Sequence, residues 1–378
     1  MKILLSADCF YPAQMGGPSN ALYWQAKALT QAGHQVTVVA TSYCLPASVP
    51  TDQWLMQDCG RVFYTKNPHF YAPVKHIWYA YQAIQRVDVV HINSLFYPAS
   101  FIWVLLSRWI GRPIVWSPHG ELSPAALVFR PRLKRLLLWV IKRFGSSVQF
   151  HATSAVEATH IRQHFGANVR IAVIHNRMQL PAPVVPIGIG PPYLLFVGRL
   201  HPIKAIDQLL KALAGSAVFR ESNYILLIAG PVADKGYVQT LKEQIATLQL
   251  SQKVSFVGFV QGTQKEALYA NARLTILPSH AENFGNVVME SLAQGTPVVA
   301  SAHTPWQLLE TERIGSWVSN EPAPLQKAVE AYLTMLPAEY QGYRERAIKV
   351  AQRQFDSLAG AIEWEHFYEQ ILVAHERH

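Results

Sequence analysis

The length, composition and charge of the chain limit what it can be. With 378 residues, 50% of them hydrophobic and 15% charged, the sequence predicts two well-buried globular domains and excludes a disordered chain. The formal net charge of +9 is uneven, because residues 1–180 hold 17 Lys and Arg against 6 Asp and Glu, while the remainder holds 16 against 18. Nucleic acid, anionic lipid or an acidic acceptor molecule could each be attracted by the basic half, and net charge alone does not distinguish among them.

The cysteines and the apolar segments indicate a cellular compartment. Cys9, Cys44 and Cys59 are odd in number and irregularly spaced, which is typical of neither a metal site nor a disulfide framework. Asp8 ends the N-terminal apolar run well before the length of a secretory signal. The apolar stretch 101–116 is broken by charged residues, glycine and proline, so we expect no segment that crosses a bilayer. A cytoplasmic protein, either soluble or peripheral at the inner face of the membrane, is therefore expected.

The first elements predict a βαβ unit of the doubly wound type. Residues 2–6 form a buried strand, a helix runs over about 19–32, and residues 34–41 form the next strand. Gly16 and Gly17, just before the helix, allow backbone N–H groups to approach a ligand closely.

Two further strands, 88–92 and 114–117, end in polar residues. His119 follows the second of them at its carboxyl end, the edge at which open α/β sheets bind ligands. After another strand, Ser154 and Glu157 have the Ser-x-x-Glu spacing of a capping box at the start of a helix. Glu157 is therefore interpreted as structural.

Residues 130–144, RPRLKRLLLWVIKRF, combine an apolar stripe at helical spacing with several Lys and Arg residues. Two interpretations remain open. The segment is either a domain helix that buries its apolar stripe and exposes a basic face, or a helix that contacts an anionic membrane surface. The first is favoured because the apolar stripe is needed inside the domain.

A run rich in proline and glycine, 179–192, predicts the linker to a second domain. The strand 193–197 begins that domain, and Arg199 and Lys204 follow its carboxyl end. Two fixed cations at such a place can oppose the negative charge of a ligand. Phe259 follows a later strand of the same domain.

The stretch 273–301, RLTILPSHAENFGNVVMESLAQGTPVVAS, predicts a strand, a loop, a helix and a second strand. The helix leaves the backbone N–H groups of residues 284–286 at its positive end, a place suited to an anion or to sugar hydroxyls. Glu282 precedes the helix and Glu290 lies about one turn inside it. Both carboxylates are therefore expected to reach the same cavity.

Four segments, in this order, resemble motifs of the family 4 glycosyltransferases. They are the loop YPAQMGGPSN, the segment SPHGELSP, the pattern GRL-x3-K and the segment AENFGNVVMESLAQGTPVV. The resemblance covers nearly the whole chain. It departs from the family's pattern at His175 and Arg177, where proline and glycine are usual, and at Ala205, where glycine is usual.

The resemblance implies an α/β protein with the GT-B fold, in which two Rossmann-like, doubly wound parallel-sheet domains face a central cleft. Residues 1–178, joined by a C-terminal helix at about 356–378, would form the acceptor-side domain. Residues 179–192 would form the linker, and residues 193–355 would form the domain that binds the nucleotide sugar.

The resemblance also implies roles for the matching residues. The expected catalytic set consists of His119, Arg199, Lys204 and Glu282, in which the histidine faces the transferred sugar and the two cations hold the diphosphate. The residues expected to bind the donor are Gly16, Gly17, Phe259, Asn283, Phe284, Gly285, Asn286 and Glu290. No metal and no other cofactor is expected, because the sequence has no Asp-x-Asp motif and the two cations take the part of a metal ion.

The implied reaction is a retaining transfer of a sugar from a nucleotide diphosphate, with UDP favoured and GDP next, to a hydroxyl of a saccharide or lipid-linked acceptor. Such a reaction belongs to surface polysaccharide or glycolipid biosynthesis. The expected partners are the donor and the acceptor, an anionic membrane surface contacted through residues 130–144 under the second interpretation above, and no nucleic acid. Two alternatives remain: an epimerase or hydrolase of nucleotide sugars on the same fold, and an inactive basic protein that binds membranes or nucleic acid.

Overall fold

The chain forms two compact units, each with its own sheet. The first unit contains Met1–Gln179 and Asp356–His378, and the second contains Leu180–Phe355. The computed structural model describes residues 1–13, 17–66, 73–128, 131–142, 148–187 and 190–376.

The first unit is built on an eight-stranded sheet. Its strands are β1 (Lys2–Ala7), β2 (Gln35–Thr41), β3 (Trp54–Gln57), β4 (Gly60–Thr65), β5 (Val89–Asn93), β6 (Ile114–Ser117), β7 (Gln149–Ala152) and β8 (Ile171–Val173). Their order is β3-β4-β2-β1-β5-β6-β7-β8, and every neighbouring pair is parallel except β3 and β4. The chain leaves β1 towards β2 and later returns to its other side at β5. The carboxyl ends of β1 and β5 therefore mark a topological switch point, where ligands bind in open α/β sheets.

Helices cover both faces of this sheet. They are α1 (Gly17–Gln31), α2 (Val74–Ile84), α3 (Pro98–Ile110), α4 (Pro124–Leu127), α5 (Pro131–Lys142), α6 (Ala155–Phe165) and the C-terminal helix (Ser357–Glu376). Because side chains of a strand alternate between faces, Ile3 and Leu5 pack with α1 and the C-terminal helix, whereas Leu4 packs on the face covered by α2, α3, α5 and α6.

The second unit is built on a six-stranded sheet that is parallel throughout. Its strands are β9 (Tyr193–Val197), β10 (Ile225–Ala229), β11 (Val254–Gly258), β12 (Leu274–Leu277), β13 (Val298–Ser301) and β14 (Gly315–Val318). Their order is β11-β10-β9-β12-β13-β14, so the switch point of this unit lies between β9 and β12.

The helices of the second unit again lie on both faces of its sheet. They are α7 (Ile206–Gly215), α8 (Ala217–Glu221), α9 (Lys235–Thr247), α10 (Gly262–Asn271), α11 (Asn286–Ala293), α12 (Leu308–Thr311), α13 (Pro322–Thr334) and α14 (Pro337–Phe355). Leu194 and Phe196 of β9 face α7, α9 and α13, while Leu195 faces α10. After β10 the backbone passes so close to β9 that a Cβ at Gly230 would lie 1.9 Å from the carbonyl oxygen of Gly198.

The predicted fold class, two doubly wound parallel-sheet α/β domains, is confirmed. The sequence did not predict the β3–β4 hairpin or β14. Both β3 and β14 are short strands at sheet edges, so neither carries the long buried run by which the inner strands are recognised.

Candidate active site

The switch point of the second unit brings Lys204 and Glu282 together. Lys204 ends the turn after β9, and Glu282 lies in the loop after β12. Because β9 and β12 are adjacent and parallel, their carboxyl ends meet at one edge, and Lys204 Nζ donates to Glu282 Oε1 in an ion pair. Both side chains are mostly buried, with 15% and 12% of their surface exposed. The structure thus joins two predicted site residues that are 78 positions apart.

A backbone hydrogen bond joins the two loops that carry this ion pair. The backbone N–H of His280 donates to Ile203 O at 2.8 Å, and Ser279 Oγ donates to Glu282 Oε1 at 2.8 Å. Ala205, at the family's usual glycine position, adopts the left-handed conformation with φ of +51°. The alanine therefore takes a backbone conformation that glycine adopts without strain.

Arg199 and Phe259 lie at the same edge of the sheet and are exposed. Arg199 follows β9 and, within the described part of the chain, has no ion-pair partner. Phe259 follows β11 with 49% of its surface exposed. Both side chains are therefore accessible to a ligand at this edge.

Glycine is required where α11 begins. Gly285 has a φ of +87°, and a Cβ there would lie 3.0 Å from Leu277 Cδ2 and 3.2 Å from Trp306 Nε1. Phe284 is only 5% exposed, packs its ring 5.0 Å from that of Trp306, and accepts a hydrogen bond from Trp306 Nε1 at its carbonyl oxygen. The Phe284 side chain is thus part of the core, so only its backbone can contact a donor. Asn283 precedes it in the loop, and Asn286 is the first residue of α11.

Glu290 is held by two residues that were not predicted to belong to the site. Tyr269 Oη donates to Glu290 Oε2 at 2.8 Å, and Lys265 Nζ forms an ion pair with the same oxygen at 2.6 Å. Burial, and then the charge of Glu290, raise the pKa of the Tyr269 phenol well above its usual value, so this group stays a donor. Lys265 and Tyr269 are four residues apart on α10, the spacing of one helix face. That spacing was the available signal, but nothing in the sequence indicated that this face meets α11.

His119 in the first unit is fixed in one tautomer. It follows β6 in the left-handed conformation, with φ of +50°, and its Nε2 lies 2.7 Å from Asn93 Oδ1. Asn93 Nδ2 donates to Ser6 O at 2.8 Å, which orients the amide so that Oδ1 can only accept. The proton of the imidazole is therefore on Nε2, and Nδ1 is an acceptor that is buried without a partner among the described residues. Burial lowers the pKa of His119 to about 4, so the ring is neutral at pH 7.

Two carboxylates, those of the buried Glu157 and of Glu121, hold the loop that carries His119. Glu157 accepts from Gly120 N at 2.6 Å and from Thr153 N at 2.7 Å, while Glu121 accepts from Ser94 Oγ at 2.6 Å. Ser154 does cap α6 through its hydroxyl, as predicted. Glu157 does not complete the reciprocal capping box, because its carboxylate bonds to Thr153 and the His119 loop instead.

Behind His119 runs a buried chain of hydrogen bonds with a defined direction. His151 Nε2 donates to Ile174 O at 2.9 Å, so its Nδ1 must accept from Ser117 Oγ at 2.8 Å. Ser117 Oγ then accepts from His91 Nε2 at 2.6 Å, and His91 Nδ1 accepts from Tyr368 Oη at 2.7 Å. Burial lowers the pKa values of both histidines, that of His151 to about 3, which keeps the chain uncharged. Nothing in the sequence indicated this network, which links three strands to the C-terminal helix.

A cavity within the first unit opens beside His119. Its empty volume, including space open to solvent, is about 370 Å³. Trp24, Trp364, His175 and Arg177 contribute to its lining. The two departures from the family's Pro and Gly therefore line a cavity next to a predicted catalytic residue.

The remaining predicted residues can be placed only in part. Gly16 lies outside the described residues, and Gly17 is the first residue of α1. In the stretches that the structure describes, no group of three or more His, Cys, Asp or Glu side chains is arranged to hold a metal ion. None of the described helices combines the length and the apolar character needed to cross a membrane.

Comparison with known proteins identifies the family. Residues 184–352 match the model of group 1 glycosyl transferases, and residues 15–177 match the model of glycosyltransferase family 4. An uncharacterised glycosyltransferase of Methanocaldococcus jannaschii is 25% identical over 84% of this chain and 85% of its own length. The D-inositol 3-phosphate glycosyltransferase of Geodermatophilus obscurus is 26% identical over 76% of this chain and 66% of its own length.

Solved structures share the fold. The Anabaena protein HepE in complex with UDP and glucose superimposes with a TM-score of 0.79 at 22% identity, over 98% of this chain and all of that one. Sucrose-phosphate synthase of Thermosynechococcus elongatus superimposes with a TM-score of 0.78 at 20% identity, over 99% of both chains. The chain therefore belongs to the group 1, family 4 glycosyltransferases, and it is a transferase with the GT-B fold.

Proposed function

We propose that the protein is a retaining glycosyltransferase that moves a sugar from a nucleotide diphosphate to a hydroxyl of a saccharide or lipid-linked acceptor. The observation that carries the proposal is the ion pair of Lys204 and Glu282 at the switch point of the second sheet, where the exposed Arg199 follows the same strand. UDP is the favoured nucleotide, with GDP next, since HepE has been solved with UDP and with UDP-glucose on a similar fold.

In the proposed site the two cations hold the diphosphate. Cleavage of the bond between the sugar and the diphosphate leaves an additional negative charge on the leaving group, which Arg199 and Lys204 would stabilise. Glu282 would then accept hydrogen bonds from donor sugar hydroxyls. The two cations would do the work of a metal ion, so activity should survive a chelator.

Glu290 would bind the ribose of the donor. Lys265 and Tyr269 both bond to Oε2, so Oε1 is the atom that can accept from a ribose hydroxyl. The N–H groups at the start of α11, the backbone near Phe259, and the glycines Gly16 and Gly17 would contribute further donor contacts.

Retention would follow from attack on the face that the leaving group vacates. The bond between the anomeric carbon and the phosphate oxygen breaks, a bond to the acceptor oxygen forms on the same face, and the acceptor proton passes to the phosphate oxygen. No carboxylate base is needed for this balance. The neutral His119, whose Nε2–H is held by Asn93 Oδ1, suits packing beside the transferred sugar rather than proton transfer.

A donor panel followed by transfer assays tests the proposal. Thermal shifts with UDP, GDP and ADP should identify one preferred nucleotide, and no response to any of them would overturn the donor assignment. Lys204→Ala and Glu290→Ala should each abolish transfer while the fold persists, whereas Lys211→Ala, an exposed lysine of the same unit, should not. Wild-type rates in both site variants would refute the site.

Product analysis separates the remaining alternatives. The anomeric proton of the product should show the configuration of the donor, and inversion would overturn the proposed mechanism. Free sugar released in the absence of an acceptor would indicate a hydrolase, and an isomerised nucleotide sugar would indicate an epimerase.

A further inference from the structure

The exposed tryptophans of the chain are gathered on one side of the first unit. Of ten tryptophans, Trp78, Trp109 and Trp139 are the exposed ones, with 57%, 75% and 65% of their surfaces accessible. They lie on α2, α3 and α5 respectively. Single exposed hydrophobic side chains are normal on a protein surface, whereas a contiguous exposed apolar patch marks an interaction site.

These three helices cover the same face of the eight-stranded sheet. Each contributes to a single core cluster, α2 through Ala80, α3 through Trp103 and α5 through Leu138. Helices that bury their inner sides against one face of a sheet present their outer sides in the same general direction. The exposed sides of α2, α3 and α5 therefore face the same general direction, and we call them together the tryptophan face.

Aromatic contacts make the surface continuous across α2 and α3. The ring of Tyr81 lies 6.1 Å from that of Trp78 and 6.3 Å from that of Trp109, and the latter pair is stacked. Leu105 of α3 adds an aliphatic side chain that is 40% exposed.

Helix α5 has two apolar sides rather than one. Leu138 and Ile141 are buried, as the interpretation of a domain helix required, but Leu133 and Leu136 are 46% and 59% exposed beside Trp139. The expectation that α5 buries its apolar stripe inside the domain is therefore correct for Leu138 and Ile141 but wrong for Leu133 and Leu136. The predicted segment 130–144 extends beyond the described helix at both ends.

The charge of the tryptophan face has one sign. The three helices contain no Asp or Glu, and their basic residues are Lys75, Arg108, Arg132, Lys134, Arg135 and Lys142. Lys75 pairs with Asp52 and Lys134 donates to Ala126 O, while Arg108, Arg132, Arg135 and Lys142 are exposed. The exposed basic side chains on α5 alternate with the exposed leucines.

We propose that the tryptophan face docks the protein onto an anionic lipid bilayer. Tryptophan favours the boundary between headgroups and acyl chains, leucine inserts just below it, and Lys and Arg are attracted to anionic headgroups. A nucleic acid would meet the same positive charge but would gain nothing from exposed leucines. Docking is independent of the donor site, and it supplies a reason why a lipid-linked acceptor would be within reach of this transferase.

Vesicle flotation of the full chain tests the proposal. Vesicles of phosphatidylcholine with 30 mol% phosphatidylglycerol should carry the protein upward, pure phosphatidylcholine vesicles should not, and raising the salt from about 0.1 M to 0.5 M should weaken binding. The triple variant Trp78→Ala, Trp109→Ala, Trp139→Ala should bind anionic vesicles at least tenfold more weakly. Absence of wild-type binding to anionic vesicles, or undiminished binding of the triple variant, overturns the proposal.

Matched variants separate docking from general effects. Met56→Ala with Ile362→Ala removes exposed apolar side chains elsewhere in the first unit and should leave flotation unchanged. Arg132→Gln, Arg135→Gln and Lys142→Gln together should reduce binding at low salt, whereas the same change at Lys211, Lys235 and Lys327 of the second unit should not.

Two further measurements test whether another partner covers the tryptophan face and whether the triple variant is folded. Lipid-free self-association that disappears in the tryptophan variant, or tight retention on DNA or RNA through this face, would show that another partner covers it and would overturn lipid docking. The nucleotide thermal shift of the triple variant should equal that of the wild type, which also shows that the variant is folded. Flotation without any nucleotide response would contradict the proposed function and leave docking intact.

Discussion

Replacing Glu121 by glutamine should change how the stability of the first unit depends on pH. Burial raises the pKa of Glu121 from 4.5 to about 7, so the folded chain keeps this proton over a pH range in which the unfolded chain has lost it. The stability that comes from the protonated carboxyl is complete below about pH 4.5 and is lost as the pH rises through 7. At about 1.4 kcal/mol per pH unit, the difference between 4.5 and about 7 corresponds to roughly 3 kcal/mol.

Glutamine fits the site of Glu121, and its side chain does not ionise. Its amide oxygen can accept from the backbone N–H groups of Leu95 and Phe96, which now bond to Glu121 Oε2, and its NH₂ can donate to Ser94 Oγ. Glu121→Gln should therefore match the wild type below about pH 4.5 and exceed it by roughly 3 kcal/mol at pH 8 in free energy of unfolding.

Urea denaturation followed by tryptophan fluorescence measures this difference. Eight of the ten tryptophans lie in the first unit, so the signal reports mainly on its unfolding. Glu369→Gln removes an exposed carboxylate from the C-terminal helix and should run parallel to the wild type at every pH. Parallel curves for Glu121→Gln, or a variant less stable than the wild type at pH 8, would refute the reasoning.

Three further predictions address the site and its supports. Lys265→Met should weaken UDP binding about tenfold in calorimetry, because Glu290 loses a partly buried ion pair, and unchanged affinity would contradict its orienting role. Gly285→Ala should lower the free energy of unfolding by about 2–4 kcal/mol, because the new Cβ is both strained and crowded. Gly33 has a similar φ of +88° but open space around it, so Gly33→Ala should lower the free energy of unfolding by only about 1 kcal/mol. Equal losses would show that crowding contributes nothing. Glu157→Ala should cost about 3 kcal/mol or more in urea denaturation, because buried N–H groups lose their acceptor, and a loss below about 1 kcal/mol would show that water replaces it.

The fold and part of the site could be predicted because their signals are local. Buried strands followed by glycine, proline and polar residues predict parallel sheets, and parallel strands place the residues after them at one edge. The same signals predict Lys204 after β9 and Glu282 after β12, and the two side chains form an ion pair. Short edge strands such as β3 and β14 carry no such signal.

The residues that orient the site could not be predicted, because they act across long sequence separations. Lys265 and Tyr269 belong to α10 and are recognised only when that helix meets Glu290. The sequence indicated a helix cap for Glu157 and no role for Glu121, and the roles of both follow from three-dimensional contacts with the loop around His119. Sequence periodicity gives the face of a helix but not the partner that this face meets.

The second unit neutralises its buried site charges by ion pairs, whereas the first unit does so by shifting pKa values. This difference affects how a donor would bind. In the second unit, Lys204 pairs with Glu282 and Lys265 pairs with Glu290, so these site charges already cancel. In the first unit, burial keeps His119 neutral and raises the pKa of Glu121. A nucleotide diphosphate that enters the proposed site brings negative charge to pairs that offer no net positive charge. The exposed Arg199, which has no ion-pair partner among the described residues, therefore supplies most of the electrostatic attraction. Arg199→Met should remove most of the salt dependence of donor binding, whereas Lys327→Met, at an exposed lysine of α13, should leave that dependence in place.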